Sequence, residues 1–102
     1  MTSYEHFELT RDEAGIAWLT IDVKGRSANV LSHAVMAELV AIVGSLAANP
    51  PKGFVFRSGK PRGFIFGADI NEFASLETRE AVESHIAEVL DCFQTIEDLA
   101  CP

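Results

Sequence analysis

Phe64-Ile65-Phe66-Gly67-Ala68-Asp69-Ile70 is the stretch on which the reading of this chain turns. An apolar, β-forming triplet runs into a glycine, and the chain then bends sharply toward Asn71-Glu72-Phe73. This order predicts a brief strand over 64–66, a break at Gly67 and a single helical turn over 70–73. Gly67 carries no side chain that would block a ligand. The Ala68 amide is expected at the start of the turn, where N–H groups lack intrahelical partners and the local dipole is positive. A donor in that position can stabilise a developing oxyanion. Taken alone, Gly67-Ala68-Asp69 also fits a plain surface turn capped by Asp69.

On the N-terminal side, His6-Phe7-Glu8-Leu9-Thr10-Arg11 alternates apolar and polar, and Ile16-Ala17-Trp18-Leu19-Thr20-Ile21-Asp22 is rich in β-formers. They read as two strands joined around Asp12-Glu13-Ala14-Gly15. After the polar loop Lys24-Gly25-Arg26-Ser27-Ala28-Asn29, Ser32 is placed to cap a helix whose apolar positions Val35, Leu39, Ile42 and Leu46 recur at helical spacing. Asn49-Pro50-Pro51 ends it. Gly53-Phe54-Val55-Phe56-Arg57 is a further strand, and Ser58-Gly59-Lys60-Pro61-Arg62-Gly63 a loop. Thr78 is expected to cap a long last helix with Val82, Ile86, Val89, Phe93 and Ile96 on one stripe and a largely charged opposite face. Both halves thus read as strand, strand, helix, at about 5–49 and 53–99: an α/β chain of ββα units forming one domain over 1–102.

The composition agrees with a globular domain: 48% of the 102 residues are hydrophobic and 23% charged. No apolar run reaches the ~20 residues of a membrane span, and the first residues lack the blocks of a signal peptide, so a cytoplasmic protein is expected. A net charge of −7 argues against nucleic acid or an anionic membrane as a partner. Yet Lys24, Arg26, Lys52, Arg57, Lys60 and Arg62 lie between positions 24 and 62 with only Glu38 opposing them. If their loops converge they form an anion site of phosphate size; otherwise they are solvated strand-end side chains. Cys92 and Cys101 show no CxxC pairing and His6, His33 and His85 are scattered, so neither a metal site nor a disulfide is expected. Cys92 falls on the apolar side of the last helix, whereas Tyr4, His6, His33 and His85 read as surface residues.

Four stretches, in order, resemble the N-terminal part of the enoyl-CoA hydratase/isomerase (crotonase) family: Gly15-Ile16-Ala17-Trp18-Leu19-Thr20-Ile21-Asp22, Ala28-Asn29-Val30-Leu31-Ser32, Gly53-Phe54-Val55-Phe56-Arg57-Ser58, and Phe64-Ile65-Phe66-Gly67-Ala68-Asp69-Ile70-Asn71. Within it, Ile21-Asp22-Val23-Lys24-Gly25 and Ser58-Gly59-Lys60-Pro61 look most like the hydratase end of multifunctional fatty-acid oxidation α subunits. The resemblance implies a crotonase-like spiral of ββα units, of which this is the N-terminal portion. It implies an acyl-CoA thioester as substrate, no covalently bound cofactor, and a homo-oligomer. The residue matching Ala68 gives one backbone donor to an oxyanion hole. By the same resemblance, Arg26, Ser27 and Ala28, with Phe66, Gly67, Ala68, Asp69 and Ile70, are expected to line the CoA channel, the first group near the phosphates.

Two departures accompany the resemblance. A bulky Phe66 stands where the family commonly has a small residue, which is expected to narrow or reshape the channel. The family's second oxyanion donor and two catalytic glutamates lie beyond the matched part, and neither Asp69 nor Glu72 matches them; capping or solvated roles are expected for both. Two other readings stay open: a noncatalytic acyl-CoA-binding or self-assembly module, suggested by the apolar stripe of the last helix, and an unrelated small α/β domain.

Overall fold

The computed structural model describes residues 4–67, 72 and 78–102. Strands β1 (Phe7–Arg11) and β2 (Ile16–Ile21) form an antiparallel hairpin with Phe7 opposite Ile21 and Arg11 opposite Ala17. The period-two pattern of β2 decides its faces: Ala17, Leu19 and Ile21 are fully buried, while Ile16, Trp18 and Thr20 lie on the other side.

Asp12 builds the hairpin turn. Its Oδ1 accepts from the Ala14 and Ile16 amides at 2.9 and 3.0 Å, and its Oδ2 from the Trp18 indole at 2.9 Å. Gly15 closes the turn at φ +85°, a conformation that side-chain-bearing residues rarely adopt.

Helix α1 (His33–Ala48) crosses from β2 to β3 (Gly53–Ser58), which runs parallel to β2 with Ile16 opposite Gly53 and Ile21 opposite Ser58. The sheet order is β1-β2-β3. Ser32 caps α1 as expected, its side chain accepting from the Val35 amide at 3.2 Å. Val35, Met36, Leu39, Ile42, Val43 and Leu46 form one apolar stripe that packs with the inner face of β2 and Phe7 to make the core. On the same helix the Glu38 carboxylate accepts from the Glu5 and His6 amides at 2.7 and 2.9 Å, so the one acid of the basic stretch holds down the N-terminal segment. Helix α2 (Arg79–Glu97), capped by Thr78 through the Ala81 amide at 3.0 Å, packs on α1.

Two expectations change. Residues 64–66 form no strand, so among the described residues the second half holds one strand and one helix rather than a full ββα unit. Gly63 and Gly67, at φ +98° and +114°, bend the backbone on either side, leaving too short an extended run for a ladder. The expected helical turn over 70–73 lies outside the described residues except at Glu72. His85 is buried rather than exposed, for it precedes Cys92 by seven residues, two helical turns, and so shares the face of α2 that meets the core. The charged side of α2 begins beyond it. Cys92 is buried as expected, and that burial, with Asp91 and Glu88 nearby, pushes its thiol pKa up.

Hydrogen bonds from the Trp18 indole and then the Ile16 amide hold the Asp12 carboxyl below its ordinary range. A pKa depressed on folding contributes stability above the unfolded value and loses it as pH falls through the folded one. Asp12→Asn is therefore expected to melt below the wild type at neutral pH, with the gap closing below about pH 4. Thermal denaturation across that range checks it; a gap independent of pH contradicts it.

Candidate functional site

Asn29 is the centre of the site. It is buried, 2% exposed, although it sits in a polar loop. Its Oδ1 accepts from the Val23 amide at 2.9 Å, and its Nδ2 donates toward the Phe64 carbonyl at 2.8 Å, Ser58 Oγ at 3.0 Å and the Ile21 carbonyl at 3.3 Å. One amide group thus ties together the end of β2, the following loop, the end of β3 and the segment leading to Gly67. Two backbone bonds complete the join: the Phe66 amide donates to the Asn29 carbonyl at 2.9 Å, and the Leu31 amide to the Gly67 carbonyl at 2.7 Å. In the sequence alone Asn29 has no role beyond its place in a matched stretch. The signal was an amide side chain wedged between Ala28 and the apolar pair Val30-Leu31, where burial demands that its polar atoms be paired.

These bonds set the loop that carries Arg26, Ser27 and Ala28 beside the segment of Phe66 and Gly67, the part of the expected channel that falls within the described residues. Arg26, Ser27 and Ala28, with Gly25 and Val30, surround an open depression of about 420 Å³. The loop is fixed from below by Lys60, whose Nζ pairs with Asp22 Oδ1 at 2.6 Å and donates to the Arg26 carbonyl at 2.7 Å. Lys60 is therefore committed internally. Arg57 stacks over Trp18 at 4.9 Å and donates to Thr20 Oγ1 at 3.1 Å, while Arg62 lies 5.9 Å from the Phe66 ring centre. Lys52 packs against Gly15 at the opposite end of the parallel strands, roughly 17 Å of strand length away from Ser58. The six bases thus do not converge as a set; Arg26 and Lys60 share the loop, with Lys60 neutralised by Asp22.

Gly67 stands at φ +114° with open space where a Cβ would be, so glycine is needed there for the backbone and not for room. Ala68, Asp69 and Ile70 lie outside the described residues. Phe66 is 58% exposed and folds back on Gly63, where an added Cβ would come within 3.1 Å of its ring. Its ring is absent from the described walls of the cavity beside Gly67, a space of about 250 Å³ lined by Leu31, Gly67, Ile86, Val89, Leu90 and Phe93 together with His85. Glu72 has the capping role expected of it, but for α1: its Oε1 accepts from the His33 amide at 2.7 Å. His33 is exposed as expected, and its ring packs against that of His85 with centres 4.7 Å apart. Among the described residues no cluster of His, Cys, Asp or Glu fits a metal ion, and no helix is long and apolar enough to cross a membrane.

The chain is 36% identical, over 97% of its length, to the fatty acid oxidation complex subunit alpha of Aliivibrio fischeri, and 34% identical over its whole length to that of Vibrio vulnificus. Among solved structures, an enoyl-CoA hydratase of Mycobacterium smegmatis superposes on 95% of the chain with a TM-score of 0.86 and 28% identity. The chain belongs to the crotonase (enoyl-CoA hydratase/isomerase) family. An enoyl-CoA hydratase from Bacillus anthracis, at 20% identity and a TM-score of 0.83, shares the fold. No family model matches the chain. It spans 15% of the two curated relatives and 37% of each hydratase structure. These crotonase-type matches bear out the expected fold class; the ladder that would complete the second ββα unit is what the described residues lack.

Replacing Asn29 by alanine strands the Val23 amide and the Phe64 carbonyl in a buried setting and is expected to cost about 2–4 kcal/mol. A denaturant titration measures this. A loss under about 0.5 kcal/mol, the range of ordinary surface substitutions, contradicts the bracing role.

Proposed function

We propose that this chain is the thioester-binding part of an acyl-CoA enzyme of the enoyl-CoA hydratase/isomerase type, acting in fatty-acid β-oxidation and contributing one oxyanion donor. The observation that carries the reading is the Asn29 brace, which holds the Arg26–Ala28 loop against the Phe66-Gly67 segment that leads to Ala68. A CoA thioester needs both: a polar and basic site for the phosphates, and a donor aimed at the thioester oxygen.

Arg26, Ser27 and Ala28 border the open depression and take the phosphate end, with Arg26 supplying the charge. Lys60 acts by holding the Arg26 carbonyl and so the loop. Gly67 gives the backbone the left-handed turn that leads into Ala68. The Ala68 amide donates to the thioester oxygen as negative charge develops there, acidifying the α carbon and activating the β carbon toward water. The second donor and the acid and base of hydration come from other parts of the enzyme. The relatives named for the fatty acid oxidation complex and for enoyl-CoA hydratase support this reading.

Ala68→Pro in the complete enzyme removes the amide donor. Hydration of an enoyl-CoA is then expected to slow by about 100-fold or more, with the effect in kcat. Undiminished turnover overturns the assignment of Ala68.

A further inference from the structure

His6 is held by its backbone on both sides and also by its ring. Its amide donates to Glu38 Oε1 of α1 at 2.9 Å, and its carbonyl accepts from the Asp22 amide, just past the end of β2, at 2.9 Å. The side chain is 12% exposed, and its Nδ1 accepts from the Lys24 amide at 3.1 Å. That bond fixes the state of the ring. A ring nitrogen that accepts carries no proton, so the imidazole is neutral, with its proton on Nε2.

The Lys24 amide lies where the loop leaves the sheet. The Arg26 amide turns back onto the Val23 carbonyl at 3.4 Å around Gly25 at φ +79°, which makes Lys24 the outer corner of the turn that presents Arg26. Asn29 Oδ1 holds the Val23 amide before that corner, and Lys60 Nζ holds the Arg26 carbonyl after it. His6 holds the corner itself. We propose that His6 is a positioning residue for the phosphate end of a CoA thioester: its neutral imidazole fixes the turn that presents Arg26, and protonation releases it. The proposal rests on the acyl-CoA reading above and adds to it a residue and a dependence on pH. An imidazolium has N–H groups on both nitrogens, so Nδ1 would meet the Lys24 amide donor to donor. The charged groups about the ring are Glu5 beside it, Glu8 on β1, Asp22 after β2, Glu38 on α1 and Lys24 on the loop. Glu38 is engaged by the Glu5 and His6 amides and Asp22 by Lys60, whereas Glu5 Oε2, 3.7 Å from Nε2, is placed to pair with the imidazolium.

The test measures the Kd of butanoyl-CoA, an unreactive saturated thioester, at pH 8 and pH 5.5, a span that brackets ordinary histidine titration. It uses the intact polypeptide that contains this chain, as wild type, His6→Asn and His6→Leu. Asparagine offers an acceptor oxygen in place of Nδ1 and does not titrate. The wild type is expected to match His6→Asn at pH 8 and to bind about fivefold more weakly than it at pH 5.5; the ratio cancels titration of the ligand's own phosphate. His6→Leu is expected to bind about fivefold more weakly than His6→Asn at both pH values, with circular dichroism confirming that it is folded. Equal binding by wild type and His6→Asn at pH 5.5 overturns the proposal, as does wild-type affinity in a folded His6→Leu at pH 8. The Lys24 amide resonance, followed without ligand in protein labelled with ¹⁵N-lysine, is expected to shift with pH in the wild type and to stay in place in His6→Asn. An unmoved resonance in the wild type overturns the His6 hold. Failure of butanoyl-CoA to bind the wild type at pH 8 overturns the acyl-CoA reading and this inference with it, an outcome distinct from pH-independent binding.

Discussion

The hydrogen bonds of the Asn29 side chain are the constraint on which the rest of the site depends. A buried amide without partners is costly, so the structure that satisfies Asn29 is strongly favoured over those that do not. Satisfying it requires the Val23 amide on one side and the Phe64 carbonyl and Ser58 hydroxyl on the other to arrive together. The chain separates Val23 from Phe64 by a whole crossover unit, and the amide closes that gap with single-residue precision. The loops themselves have little apolar surface with which to do so.

The brace also explains why the core and the site are separate tasks in this fold. The core is made by the inner face of β2 and the stripe of α1, a two-layer arrangement that needs only alternation and helical spacing. The site lies at the C-terminal ends of the parallel strands β2 and β3, where strand-end loops converge and where open α/β sheets commonly bind ligands. Apolar packing places the strand ends, and polar pairing then shapes the loops. Lys60 extends the polar network outward by tying Asp22 to the Arg26 carbonyl.

What was legible in the sequence follows the same division. Periodicity found β1, β2, α1, β3 and α2 and placed Ser32 and Thr78 as caps, because these features depend on neighbours within a few residues. The strand over 64–66 failed because hydrophobic content says nothing of the two positive-φ glycines that bend the chain around it. His85 was misplaced by a stripe drawn through Val82, Ile86 and Val89; the spacing of His85 to Cys92 was the better guide to the buried face. The basic residues show the limit of counting charge along a chain. Arg26 and Lys60 meet, whereas Lys52 lies at the opposite end of the strands and Arg57 is stacked on Trp18. Asn29 is the sharpest case, since its partners span 21 to 64 and no local pattern reports them.

The central claim is that the loop after β2 and the segment before Ala68 behave as one braced unit. Amide hydrogen exchange of the wild-type protein, read residue by residue, tests it most directly. The Val23, Leu31 and Phe66 amides, which bond to Asn29 Oδ1, the Gly67 carbonyl and the Asn29 carbonyl, are predicted to be protected together, opening with a common free energy. Rapid exchange at Leu31 and Phe66 while the β2 amides stay protected would contradict the account, because the two segments would then move independently of the fold that carries them.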